Sequence, residues 1–77
     1  MKPEIYRAEL RSSTLARAEY DSVRAQLLLD FHDGSRYLYS GVQRPLFIDL
    51  VRAPSQGSFF NREIRTRFVY VRIADRN

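Results

Sequence analysis

The sequence predicts an α+β domain: a three-stranded antiparallel meander, then two helices, then one short C-terminal strand. Three observations carry this. Between Leu15 and Ser40 apolar and polar residues alternate with period two, the strand signature. After Gly41 the period lengthens to that of a helix, in two segments separated by Pro54. The run Phe68-Val-Tyr-Val-Arg-Ile is β-branched and aromatic, which suits a strand.

Taken in order, the first eleven residues form an N-terminal arm (1–11). Tyr6, Ala8 and Leu10 would share one face of a strand, while Ile5, Ala8 and Glu9 fit a helical face almost as well; the reading preferred is an extended arm. In the first strand Ala16, Ala18 and Tyr20 alternate with Leu15, Arg17 and Glu19, up to a break at Asp21-Ser22. In the second, Leu27, Leu29 and Phe31 oppose Gln26, Leu28 and Asp30. Asp33-Gly34 marks a hairpin, because both residues tolerate the positive φ of a tight turn. The returning strand alternates Tyr37 and Tyr39 with Arg36 and Leu38.

Pro45 suits the first turn of a helix, where its missing N–H costs nothing. Leu46, Phe47, Leu50 and Val51 give that helix its apolar stripe, with Asp49 and Arg52 outside it. Pro54 ends it, Ser55 caps a second helix, and Phe59, Phe60 and Ile64 form the buried side of that second helix. The domain proper is 12–73, with 74–77 as a tail and no linker, repeat or low-complexity tract.

Seventy-seven residues, 44% of them hydrophobic and ten of them Tyr or Phe, make one small domain with a thin core. No cysteine is present, which excludes disulfides, thiolate metal sites and cysteine nucleophiles; a single histidine excludes a multi-histidine site. No apolar run approaches the length of a membrane span, and no signal peptide opens the chain. The expectation is a cytoplasmic, non-enzymatic domain with no cofactor, no metal, no membrane contact and no small-molecule substrate.

Charge is unevenly distributed. Up to Gln43 six basic residues balance six acidic ones; from Arg44 onward seven arginines face three acids, which accounts for the whole net charge of +4. Twelve of the 13 basic residues are arginine, whose planar fork grips phosphate or carboxylate bidentately. A pI near 10.0 makes a polyanion the first partner to consider.

The residues Ser12-Ser13, Tyr20-Asp21, Phe31, Gly34, Tyr37 and Tyr39, followed by Val42, Ala53, Ser55-Gln56-Gly57-Ser58-Phe59-Phe60-Asn61, Ile64-Arg65 and Tyr70, resemble the KTSC domain pattern. The resemblance covers roughly 12 to 73. One departure is Thr66, where members often carry glycine, so the end of the second helix is expected to be shaped differently. The family takes its name from copies at the C-terminus of some lysyl-tRNA synthetases and also occurs as short standalone proteins. The resemblance implies no activity, and the company of a tRNA ligase points toward nucleic acid.

Among candidate sites, His32 precedes the Asp33-Gly34 turn, but no nucleophile-elbow motif accompanies it, and an exposed turn histidine is the simpler reading. Ser55 and Gly57 open the second helix, where free amides favour anions; Ser55 can equally be a cap and Gly57 a packing space. Asn61, Arg62, Arg65 and Arg67 form the second candidate. Arg62 and Arg65 would be neighbours on one helix face, with Arg52 joining them across the Pro54 corner, a ridge able to straddle a phosphate backbone while Asn61 reads a base edge. Tyr37 and Tyr39 share a strand face, as stacking platforms do, although core packing is the commoner role. The sequence therefore predicts a module that binds nucleic acid, DNA rather than RNA for a standalone copy, and acts as a homodimer because one small core leaves little stability surplus. The alternative is a protein-interaction module that meets an acidic partner.

Overall fold

Alternation gives each strand one apolar side, and a sheet buries that side only if helices cover it. The computed structural model, which describes residues 4–73, resolves this with one five-stranded antiparallel sheet and two helices. The strands are β1 (Ile5–Glu9), β2 (Leu15–Asp21), β3 (Gln26–Phe31), β4 (Arg36–Ser40) and β5 (Val69–Ile73), in the spatial order β1-β2-β3-β4-β5. The helices α1 (Arg44–Arg52) and α2 (Gln56–Glu63) fall between β4 and β5. The predicted tail 74–77 lies outside the described residues.

The α+β class and both helices stand, but the meander has four strands before the helices, not three. The predicted arm is a strand: Ile5 pairs with Asp21 and Glu9 with Arg17, in continuous antiparallel register. Burial decides this over the helical alternative, because the strand turns half-buried Tyr6 and Ala8 toward the core, where the Tyr6 ring lies 6.4 Å from Phe47. A second difference concerns Leu15. Simple alternation sets it opposite Ala16, Ala18 and Tyr20, but a register shift between Leu15 and Arg17 inserts an extra residue and turns Leu15 fully into the core.

The helices divide the sheet between them. Phe47 of α1 stacks on Tyr20 at 5.0 Å, so α1 covers the β1–β2 side, whereas Phe60 of α2 meets Phe31 at 5.6 Å and Tyr39 at 5.8 Å. Between sheet and helices lie Leu27, Leu29, Val42, Leu50 and Ile64, all with no exposed surface. The far face of the sheet is ionic. Asp30, nearly buried there, holds Arg36 at 2.8 Å and Arg17 at 3.9 Å. The hairpin predicted at Asp33-Gly34 forms, with Gly34 at φ 92° and Asp33 accepting from the Ser35 amide at 2.9 Å.

Candidate nucleic-acid interface

Ser55 caps α2 as its residue type demands: its hydroxyl oxygen accepts from the Ser58 amide at 3.3 Å. Gln56 follows and is buried. Its Nε2 donates to the Val51 carbonyl at 3.0 Å, and its Oε1 accepts from the Arg11 amide, so one side chain ties the β1–β2 loop to both helices. In that loop Ser12 Oγ accepts from the amides of Thr14 at 3.0 Å and Leu15 at 3.1 Å. Loop and helix face one another across a polar hollow of about 370 Å³ bordered by Ser12, Ser55, Gly57 and Asn61.

Gly57 has an ordinary helical backbone, and a Cβ built there would sit 3.4 Å from Ser12 Oγ. One methyl fits at van der Waals contact. The branches of valine would press on a hydroxyl held by two amides. Gly57→Ala is thus expected to stabilise the domain by up to about 1 kcal/mol through helix propensity, while Gly57→Val loses that gain to overpacking; paired urea titrations measure the difference.

The arginines do not form one ridge. Helix α2 stops at Glu63: Ile64, at φ −121°, leaves the helical conformation, and the Arg65 amide donates back to the Phe60 carbonyl at 2.9 Å, which turns the chain before Arg65. Arg62 therefore shares a hollow of about 500 Å³ with Arg52 at the α1–α2 corner, while Arg65 lies on the opposite side of α2, toward β4 and β5. Glu63 is shared: Arg62 reaches it at 3.1 Å and Arg67 at 3.6 Å, and the Arg62 guanidinium also lies 5.7 Å from the Phe59 ring centre. Arg52 and Arg65 are exposed and have no acidic partner among the described residues.

On the Arg65 side, α2 and the β4–β5 strands enclose a groove of about 580 Å³. Tyr37, Tyr39 and Tyr70 form its floor, Phe60 and Phe68 its walls, with Asn61 and Arg65 at the rim. The predicted Tyr37/Tyr39 pair splits in role. Tyr39 is core, 3% exposed, and burial, with Tyr37 and Tyr70 beside it, pushes its hydroxyl up to about 12. Tyr37 is half-buried, 5.6 Å from Tyr70, with the Arg72 guanidinium 5.9 Å from its ring centre. Sequence reasoning missed Tyr70 and Phe68 as site residues. Their signal was present, because Phe68, Tyr70 and Arg72 alternate onto one face, but the register that pairs Tyr70 with Tyr39 was not. Thr14 and Asn61 border both groove and polar hollow, so the two run together along α2.

His32 donates from Nε2 to the Ser12 carbonyl at 2.9 Å, which fastens the turn to the β1–β2 loop. Among the described residues no group of three or more His, Cys, Asp or Glu side chains converges as metal ligands do, and no helix is long and apolar enough to cross a membrane.

Most of the chain matches a known family: the model of the KTSC domain matches residues 11–68. The chain belongs to the KTSC domain family. A protein of Tsukamurella paurometabola is 39% identical to it over 59 residues, 77% of this chain and 88% of that one. The crystal structure of a KTSC domain protein from Yersinia pestis has the same fold, with a TM-score of 0.86 at 27% identity over 92% of this chain and 100% of the other. The KTSC match contains both helices and the central strands β2, β3 and β4; the outer strands β1 and β5 flank it.

Proposed function

We propose that this KTSC domain is a small, non-enzymatic nucleic-acid-binding module whose cationic contacts come from both flanks of α2. One observation carries the reading: Glu63 serves two arginines, while Arg52 and Arg65 stand exposed without acidic partners among the described residues. Positive charge left uncompensated beside open hollows attracts phosphate, and such contacts give affinity without sequence preference. Asn61, exposed at the junction of groove and hollow, supplies an amide for base edges. Ser55 and Gly57 shape the start of α2, and Arg62 and Arg67 add to the local field while holding Glu63. In a gel-shift or anisotropy titration across salt, Arg52→Ala with Arg65→Ala should lower affinity and reduce the slope of log K against log salt by about 2. Melting should be unchanged, because both side chains are exposed. An unchanged slope with intact affinity would place the phosphate contacts elsewhere on the domain, whereas no binding of nucleic acid by the unaltered chain would favour the alternative, an acidic protein partner.

The module is further proposed to act as a homodimer through β5. This edge strand presents Val69 at 77% and Val71 at 50% exposure, with its outer hydrogen-bonding groups free to pair with another strand. Antiparallel pairing about Val71 is self-complementary, since it sets Val71 opposite Val71 and Val69 opposite Ile73 of the second copy. The other edge, β1, carries Arg7 and Glu9 and is less suited to self-association. Sedimentation equilibrium at tens of micromolar should give about twice 9.1 kDa, and Val71→Lys should return the monomer mass. A concentration-independent 9.1 kDa for the unaltered chain would overturn the dimer.

A further inference from the structure

We infer that the groove between α2 and the β4–β5 strands takes single-stranded nucleic acid, with unstacked bases laid on the Tyr37–Tyr70 floor, and that it discriminates against duplex. The inference rests on the nucleic-acid reading above and names its substrate class. Tyr70 is 53% exposed although it packs 5.6 Å from both Tyr37 and Tyr39. An aromatic floor of this kind, left open in a groove of about 580 Å³, fits a flat apolar group of base size. In a duplex both faces of every base are covered by its neighbours, so a floor recessed beside a helix finds no free face to meet. Single strands and loops offer those faces, and base–aromatic stacking is their usual mode of recognition.

The rim fits the same ligand. Arg65 has no acidic partner among the described residues, so a phosphate passing the groove mouth meets an uncompensated guanidinium. Asn61 and Thr66 place an amide and a hydroxyl beside the floor, where base edges need both donors and acceptors. The single acid of the lining, Asp33, is bonded to its own loop through Oδ1, which accepts from the Ser35 amide at 2.9 Å and the Ser35 hydroxyl at 2.6 Å; these bonds favour its ionised form, so the phosphates are expected on the Arg65 side of the groove. A proline-rich peptide also seeks aromatic grooves, but it gains nothing from the unpaired arginine.

The full chain is titrated with short labelled oligothymidine, oligouridine and a duplex of equal length, each over a range of salt. Single strands should bind at least tenfold more tightly than duplex and quench the emission of the protein's tyrosines, five in all with no tryptophan. Tyr70→Ala should weaken strand binding roughly tenfold or more, while Tyr70→Phe, which keeps the ring, stays within about twofold. Tyr70→Thr retains strand propensity and repeats the test if alanine loosens β5. Duplex bound as tightly as strand, with Tyr70→Ala harmless, would overturn the single-strand inference and leave the nucleic-acid reading standing. Failure to bind any of the three probes would remove both. A proline-rich peptide that bound in a Tyr70-dependent manner where the oligonucleotides did not would likewise overturn both.

Discussion

Gln56→Leu should lower the melting temperature by roughly 10–20 °C, a larger effect than any surface change in the domain. The side chain is 3% exposed and makes two hydrogen bonds to backbone, one from its Nε2 to the Val51 carbonyl and one to its Oε1 from the Arg11 amide. Val51 lies in the last turn of α1, where carbonyls have no helical partner, so Gln56 finishes one helix from the first turn of the next. Leucine keeps the volume and leaves a donor and an acceptor unpaired, each costing about 1–3 kcal/mol when buried. A domain of this length loses about 4–8 °C for each kcal/mol. Gln56→Glu should also destabilise, because it keeps the acceptor for Arg11 but loses the donor to Val51. Thermal melts followed by circular dichroism measure both; a Gln56→Leu protein melting with the unaltered chain would show that water replaces both bonds.

Tyr20→Ala should remove a large share of the domain's stability and lower its melting temperature by more than about 10 °C. Tyr20 is 1% exposed, stacks on Phe47 at 5.0 Å with an interplanar angle of 12°, and donates from its hydroxyl to the Val42 carbonyl at 2.7 Å. Removing a buried aromatic costs about 3–5 kcal/mol, and a domain of this size has only about 4–12 kcal/mol in total. Tyr20→Phe isolates the hydrogen bond: the ring and its stacking stay while the Val42 carbonyl loses its partner. About 1–2 kcal/mol is expected for that change in urea titrations. A Tyr20→Phe loss as large as that of Tyr20→Ala would place the main contribution in the hydroxyl instead of the ring.

How much of this was legible in the sequence depends on the range over which each feature is determined. The alternation of Gln26–Phe31 and Arg36–Ser40, the Asp33-Gly34 turn and the Ser55 cap are local choices of residue type, and each forms where its chemistry points. Strand β1 was ambiguous because five residues hold too few apolar positions to separate a period of two from one of 3.6; the packing of Tyr6 on Phe47 settles it from 41 positions away. Alternation alone places Leu15 on the wrong face, because a bulge is a property of two strands, invisible in one. The Arg62–Arg65 ridge failed for a related reason. The spacing assumes that α2 continues, but the backbone leaves the helix at Ile64, and the Arg65 amide bonds back to the Phe60 carbonyl, close to the position where Thr66 departs from the family pattern. The groove was hardest to see, since Tyr37 and Tyr70 meet only through the β4–β5 register, with both helices between them in the chain.

The sequential strand order also sets a timetable. Each of β2, β3 and β4 pairs with the strand made just before it, so this part of the sheet can assemble as the chain is synthesised. Strand β5 waits for both helices. Tyr70 follows Tyr39 by 31 positions and becomes its neighbour in the sheet. At about 5–20 residues per second that is a delay of roughly 1.5–6 s, during which the meander exists while Tyr70, the third ring of the aromatic floor, does not. On a nascent chain the groove is therefore incomplete until nearly all of the domain has emerged, and the docking of β5 is the closing event of its assembly.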